Sequence, residues 1–384
     1  MRINDIRVTL LQSDGPVWMD AVSILGQGLR ASVLVQVDTD AGLTGIAEAD
    51  WLGNAAVVAT IVDTDLKPML VGQDPAYIER LYDMMYRRLF QKARRGPVMA
   101  AISGVDIALW DLLGKATGRP VFQLLGGYRD RIRTYASGGF YAEGKTTDDL
   151  AREMAGYVER GFGAVKMKIG RLPHDLLAGA GICRTGLAED LDRVRAVRAA
   201  IGPDRLLMVD VNRCWDVPTA LKMGRKLEEL DVHFLEEPIT TDDVDGSAAL
   251  AAALDLPIAG YESELSLTGF RQLIDRRAVD VVQPDVIRTG GFTGTRKIAA
   301  YAAAHHLPVT PHAFASALST VANLHLLGGI ENGGLLEYCQ YPSPLMTDLL
   351  LGMPQVGRDG TVSLPVKPGL GVELNPAVIE RYRL

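Results

Sequence analysis

Between residues 131 and 338 the chain alternates short apolar runs with longer amphipathic stretches. The runs fall at residues 134–139, 164–169, 206–211, 234–237, 257–262, 279–284, 308–312 and 335–338. Helical periodicity appears between them, at 147–160, 188–200, 219–230, 294–305 and 316–327. Such alternation makes the strands parallel, because each helix carries the chain back before the next strand begins. Eight such units predict a (β/α)8-type barrel. No full eighth helix is expected, since Tyr341-Pro342-Ser343-Pro344 breaks the helical backbone there.

The flanking segments predict an α+β capping domain. Residues 1–50 read as about three antiparallel strands, and residues 54–117 change to helical period. The expected organisation is a capping domain at 1–127, the barrel at 128–340 and a segment at 341–384 returning to the cap. Loops at 15–30 and 50–54, carrying Trp18 and Trp51, are candidate covers over a substrate. A hydrophobic content of 48% supports a large core, while a formal charge of −7 and a pI near 5.5 point away from nucleic acid and membrane surfaces. Small-molecule chemistry fits better. No apolar run approaches the roughly 20 residues that span a bilayer, and the N-terminus lacks signal-peptide character, so a soluble cytoplasmic protein is expected. Cys183, Cys214 and Cys339 form no C-x-x-C pair and offer neither a disulfide framework nor a zinc site.

Barrel enzymes place their chemistry at the C-terminal ends of the strands. There the sequence puts Lys166 and Lys168, then Asp210, Glu236, Glu262, Asp285, His312 and Glu337, spaced about one β/α unit apart from Asp210 onward. Alternation points the two lysines to one side, where burial and mutual repulsion would lower their pKa towards neutrality. Asp210, Glu236 and Glu262 would converge on one axis, and three buried anions need a cation. An all-oxygen donor set suits Mg2+. Across from the lysines, Asp285 would fix one tautomer of His312 and make it more basic, giving a second acid/base. As a neutral acid, Glu337 could donate a hydrogen bond to a developing oxyanion. Asp106 and Asp111, inside a long helix, read as structural or exposed, and the other histidines as surface or core residues. The run Gly290-Gly291-Phe292-Thr293-Gly294 is a weak phosphate motif, since it lacks the Walker lysine and follows the sixth strand.

Together the runs SGVDIALWDLLGKATGRPVFQLLGG, KMKIG, MVDVN, FLEEP, AGYESE, VVQPDVIRTGGFTG, VTPHAF and LLEY make the chain resemble the mandelate racemase subgroup of the enolase superfamily, over nearly its whole length. The resemblance implies Mg2+ on Asp210, Glu236 and Glu262, a base at Lys168 tuned by Lys166, an opposed His312–Asp285 dyad, and Glu337 beside an enediolate. It also implies abstraction of the proton α to a carboxylate of a small-molecule substrate, and a homo-oligomer between dimer and octamer. Asn212 stands where some dehydratase groups carry a histidine base, which leaves Lys168 and His312 as the base pair. A second departure is an insertion at residues 171–186. With Asn212, Arg213 and Arg288 as polar candidates for a polyhydroxylated ligand, the leading expectation is dehydration of an aldonate or aldarate to a 2-keto-3-deoxy acid. Racemisation or epimerisation of a 2-hydroxy acid or proline derivative, and lactone cycloisomerisation, are the alternatives. A silent binding protein on the same fold is disfavoured because every catalytic position is filled.

Overall fold

The computed structural model describes residues 1–21, 29–50, 53–91, 95–170 and 186–384. Trp51 and residues 171–185 of the insertion lie outside the described residues.

The chain opens with three strands, β1 (Ile3–Asp14), β2 (Leu29–Thr39) and β3 (Thr44–Ala49), paired antiparallel in that order. Helix α1 (Ala55–Ile61) runs through a wider π-type turn at Val62–Leu66 into α2 (Lys67–Leu70). Next come α3 (Ile78–Leu89), α4 (Pro97–Thr117) and α5 (Val121–Leu124). Helix α4 starts on Pro97 and stops on Gly118, whose φ of 69° is the left-handed C-cap that glycine adopts freely. It is apolar nearly all round, and 21 residues would be long enough to cross a bilayer, a length the sequence reading did not credit. Its apolar window is 89% buried inside the protein, so this is a core helix.

The barrel follows as β4 (Arg131–Ser137), α6 (Thr147–Glu159), β5 (Ala164–Lys168), α7 (Leu187–Ile201), β6 (Leu206–Asp210), α8 (Val217–Glu228), β7 (Val232–Glu236), α9 (Val244–Ala253), β8 (Ile258–Gly260), α10 (Leu267–Asp275), β9 (Val281–Val282), α11 (Gly291–Ala304), α12 (Ala317–Gly329) and β10 (Leu336–Cys339). The strands pair in parallel in the order β10-β4-β5-β6-β7-β8-β9. The expected seventh strand is much reduced: Val309 alone bridges Val282 on one side and Gly333 on the other. Pro308, which has no backbone N–H to donate, begins that run. Helix starts follow side-chain caps, including the Thr146–Asp149 capping box of α6 and Asp216, Ser266 and Ser316 on α8, α10 and α12.

The inner face of the barrel is closed by Tyr135, Ala164, Met208, Phe234 and Ala259, a packed plug beneath the functional end. Val165, Met167, Leu207 and Val209 point outward into the layer under the helices. After a short turn α13 (Pro344–Thr347), β11 (Leu350–Leu351) pairs with β13 (Glu373–Leu374), while β12 (Thr361–Ser363) adds antiparallel to β4. Helix α14 (Pro376–Tyr382) reaches β1, where the Leu384 N–H donates to the Leu10 carbonyl at 3.0 Å.

One further prediction is settled by packing. The N-terminus of α11 is sealed by α4: Ser103 Oγ accepts from Gly290 N at 2.8 Å and Asp106 accepts from Thr293 N at 3.0 Å. A carboxylate already occupies the place a phosphate would need. Asp106 and Asp111 are therefore buried joints, Asp111 accepting from Ile46 N at 2.8 Å and Leu370 N at 2.7 Å.

Candidate active site

Strand register brings the first functional residues to one level. Lys168 pairs with Asp210, and Asp210 with Glu236, so their side chains stand side by side on the inner face. Lys168 Nζ contacts Asp210 directly. One step deeper, Lys166 Nζ lies 2.7 Å from Glu236, 2.9 Å from Glu337 and 3.9 Å from Asp210, with its side chain fully buried. Glu337 arrives opposite Tyr135 in the β10–β4 ladder, and its other oxygen accepts the Ala313 N–H at 2.9 Å.

The turns after these strands are strained. Asn212 and Arg213 have φ of 46° and 66°, and Glu237 has φ of 40°, the left-handed region that side chains other than glycine rarely enter. A 2.7 Å bond from Arg213 N to the Glu237 carbonyl links the two turns, and Asn212 N donates to Asp210 at 2.8 Å. The strain thus fixes the acids of β6 and β7.

Glu262, Asp285 and His312 lie beyond short strands, where ladder register no longer places them. His312 Nδ1 is 2.7 Å from Asp285, and its Nε2 is 3.0 Å from Glu262. Asp285 is held by Asn323 Nδ2 at 3.0 Å and by the Ile287 N–H at 3.1 Å. Arg288 contacts Asp50 of the capping strand's end and lies 3.4 Å from Glu262. Glu262 thus touches both His312 and Arg288. Among the described residues no three acid, histidine or cysteine side chains are already gathered as a metal cluster.

The charge states differ from the sequence expectation. Burial alone would push both ammoniums down, but Glu236 and Glu337 hold Lys166 well above the ordinary value, and Asp210 raises Lys168. The repulsion between the lysines is smaller than their attraction to the acids. Glu337 is not a neutral acid here: against burial, Lys166 and then His312 bring it down to about 2. Burial raises Glu236 to about 8 in spite of Lys166. His312 is more basic, as expected: the Glu262 carboxylate outweighs burial and raises it to about 10.

Around the mouth stands an aromatic wall. Trp18 stacks on Phe140 at 5.5 Å and meets Tyr341 edge-on at 5.3 Å, and Phe314 lies 5.5 Å from Phe140. Lys168 Nζ is 5.6 Å from the Phe140 ring. Of the candidate ligand contacts, Trp18 lines this wall, whereas Asn212 is bonded to Asp210, Arg213 pairs with Glu237 at 3.4 Å, and Arg288 is engaged by acids. Residues that sequence reasoning missed are Tyr135, Phe140, Gln283, Phe314, Asn323, Tyr341 and Asp50. Gln283 Nε2 donates to Glu236 at 3.0 Å.

Family models match both parts of the chain: the mandelate racemase / muconate lactonizing enzyme N-terminal domain over residues 7–126, and the enolase C-terminal domain-like family over residues 149–378. The chain belongs to the enolase superfamily. Within this superfamily it is 36% identical over 384 residues to the arabinonate dehydratase of Saccharolobus solfataricus, covering 99% of each chain. It is 32% identical over 394 aligned positions to the D-galactarolactone cycloisomerase of Agrobacterium fabrum, covering 100% of this chain and 99% of that one. A racemase from Streptomyces coelicolor A3(2), solved with bound magnesium, superposes with a TM-score of 0.86 at 31% identity, covering 100% of both chains. This member of the enolase superfamily is thus an enzyme whose relatives include lyases and isomerases.

Proposed function

We propose that the enzyme dehydrates an acid sugar, an aldonate or aldarate, to a 2-keto-3-deoxy acid, with Mg2+ held by Asp210, Glu236 and Glu262. The observation that carries this reading is the opposition of two cationic groups, Lys168 and His312, across a set of buried carboxylates. The donor set fits the ion. All three ligands are carboxylates, and Glu236 is raised to about 8 by burial, the state of an acid lacking enough positive charge. Asn212 Oδ1 and Gln283 Oε1 are buried acceptors without a partner, on side chains whose amide nitrogens hold Asp210 and Glu236. They fit waters around a hydrated cation. Bound there, Mg2+ would supply positive charge beside the substrate carboxylate and so ease loss of the α-proton.

The chain's own residues then divide the work. Released from Asp210, which would be engaged by the cation, Lys168 loses the charge that holds it protonated. Once its own proton has gone to solvent, the neutral Nζ amine takes the proton from the α-carbon. Lys166 donates to the substrate carboxylate oxygen where charge develops, and Glu337 holds that ammonium in place. His312, protonated near neutral pH, gives the Nε2 proton to the departing β-hydroxyl, which leaves as water. The resulting enol tautomerises to the 2-keto-3-deoxy acid. Asp285 and Asn323 keep the imidazole pointed at the mouth.

Incubating the Mg2+-loaded enzyme with a library of aldonates and aldarates should yield a 2-keto acid from at least one of them. Absence of keto product from every sugar acid, together with deuterium exchange at an α-carbon, would overturn the dehydratase assignment in favour of racemisation. One observation favours a second reading, lactone cycloisomerisation: the aromatic wall of Trp18, Phe140 and Phe314 offers ring faces against which a sugar ring can pack. Disappearance of a sugar lactone without release of a keto acid would support it.

A further inference from the structure

The opposite end of the barrel carries a second concentration of charge. At the N-terminal ends of the strands lies a cavity of about 340 Å³, lined by Arg129, Arg131, Arg133 and His233, with Phe234 and Leu335 among its apolar walls. Two arginines come from β4, whose alternation sets Arg131 and Arg133 on the same side as Tyr135 of the barrel interior. His233 arrives by a different route. In the β6–β7 ladder Leu207 pairs with Val232 but Met208 pairs with Phe234, so His233 is an extra residue. That bulge lets two consecutive residues, His233 and Phe234, line one cavity, which regular alternation forbids.

The positive charge here is poorly matched. Arg131 has a carboxylate, Asp359, at 2.7 Å, on two half-exposed side chains. Arg129 donates to the carbonyl oxygens of Gly333 at 2.8 Å and Glu331 at 2.9 Å, which satisfies its N–H groups without neutralising the cation. The Arg133 side chain makes no hydrogen bond or ion pair among the described residues. Burial and the neighbouring Arg133 hold His233 below its usual pKa, so it adds no fourth charge and keeps a nitrogen able to accept. Three guanidiniums thus surround one concavity with a single ion pair, Arg131–Asp359, among the described residues, in a chain of net charge −7. Guanidinium forks match the paired oxygens of phosphate and carboxylate, and apolar walls strengthen the field between them.

We propose that this lower mouth binds a small multivalent oxyanion, of the phosphate or polycarboxylate class, at a site separate from the catalytic mouth. The plug of Tyr135, Met208 and Phe234 lies between the two ends, so the anion acts on the stability of the barrel and not on the reacting atoms. A cavity of this volume admits a ligand the size of pyrophosphate or citrate.

Titration calorimetry on the full chain, with Mg2+ kept in excess, tests this with inorganic phosphate, pyrophosphate and citrate in separate arms. At least one should bind saturably at one per chain, and comparison of the arms tells a phosphate from a polycarboxylate ligand. Arg133→Ala should weaken that binding about tenfold or more, and Arg133→Lys, which keeps the charge but loses the fork, by less. Circular dichroism should be unchanged, with Arg133→Gln as the second variant if Arg133→Ala misfolds, and turnover should stay within about twofold of the parent. No saturable heat in any arm would overturn the proposal. So would binding that survives loss of the Arg133 guanidinium but vanishes in Asp210→Asn, which would place the anion at the catalytic mouth.

Discussion

Lys168 and His312 stand on opposite sides of the carboxylates, and the proposed reaction gives each a distinct proton to move. Replacing Lys168 by Ala, or His312 by Asn, should lower kcat by about 10²–10⁴-fold while the circular dichroism spectrum stays that of the parent. Activity within a few-fold of the parent would refute the assigned roles. A subtler residue is Asp50. It engages Arg288, which otherwise lies 3.4 Å from Glu262. Asp50→Asn removes the competing charge and leaves Arg288 to neutralise Glu262, so Mg2+ affinity should fall about tenfold. Mg2+ calorimetry reads this directly, and an unchanged affinity would show that Arg288 does not gate the ligand. At this scale the sequence revealed the charged positions, because Lys168, Asp210 and Glu236 recur with the strand period. It did not reveal Gln283, Asn323 or Asp50, whose parts depend on partners 47, 38 and 238 residues away. The lysine and Glu337 protonation states were misjudged for the same reason: spacing shows which charges share a face, but not which of them touch.

Among the elements, α12 bears the clearest pH-sensitive joint. His325, buried on that helix, accepts the Phe122 N–H at Nδ1, 3.1 Å away, and its Nε2 donates to the Leu370 carbonyl at 2.9 Å. The bond accepted at Nδ1 requires the neutral ring, and burial, against the Leu370 carbonyl, lowers its pKa from the ordinary 6.5 to about 4. The contribution of this group is fully present above pH 6.5 and is lost as pH falls towards 4, up to about 3 kcal/mol. His325→Gln can keep one donor and one acceptor without titrating. Its Tm should therefore decline less steeply than the parent's between pH 6.5 and 4, and parallel slopes would exclude the histidine as the cause. The buried acids Glu48 and Asp106, raised to about 7, shift stability in the opposite sense in both proteins, so the difference between slopes isolates His325. Helices and long strands were legible because their periods persist over many residues. The seventh strand was not, because an apolar run such as 308–312 reads alike whether it makes a ladder or only the two isolated bridges of Val309.

At the scale of the molecule, cap and barrel share their interior. One apolar cluster contains Val35 and Leu109 of the cap, Phe292 and Val321 of the barrel, and Leu349 and Leu370 of the returning segment. Glu48 of β3 also accepts from Ser316 N at 3.2 Å and from its hydroxyl at 2.5 Å, joining the cap sheet to the start of α12. Calorimetry should therefore show one unfolding transition for cap and barrel together, and two well-separated transitions would mean that the cap melts independently. The (β/α)8 barrel and its cap were readable from alternation and motif, but this shared core was not, since apolar residues on α4 look the same whichever neighbour they meet. The contact of α14 with β1 has a consequence for how the protein is made. The first strand emerges from the ribosome more than 360 residues before the helix that packs on it, roughly 20–70 s earlier at ordinary elongation rates. During that interval the outer edge of β1, which pairing with β2 leaves open, is without its C-terminal cover and is exposed to pairing with a neighbouring nascent chain.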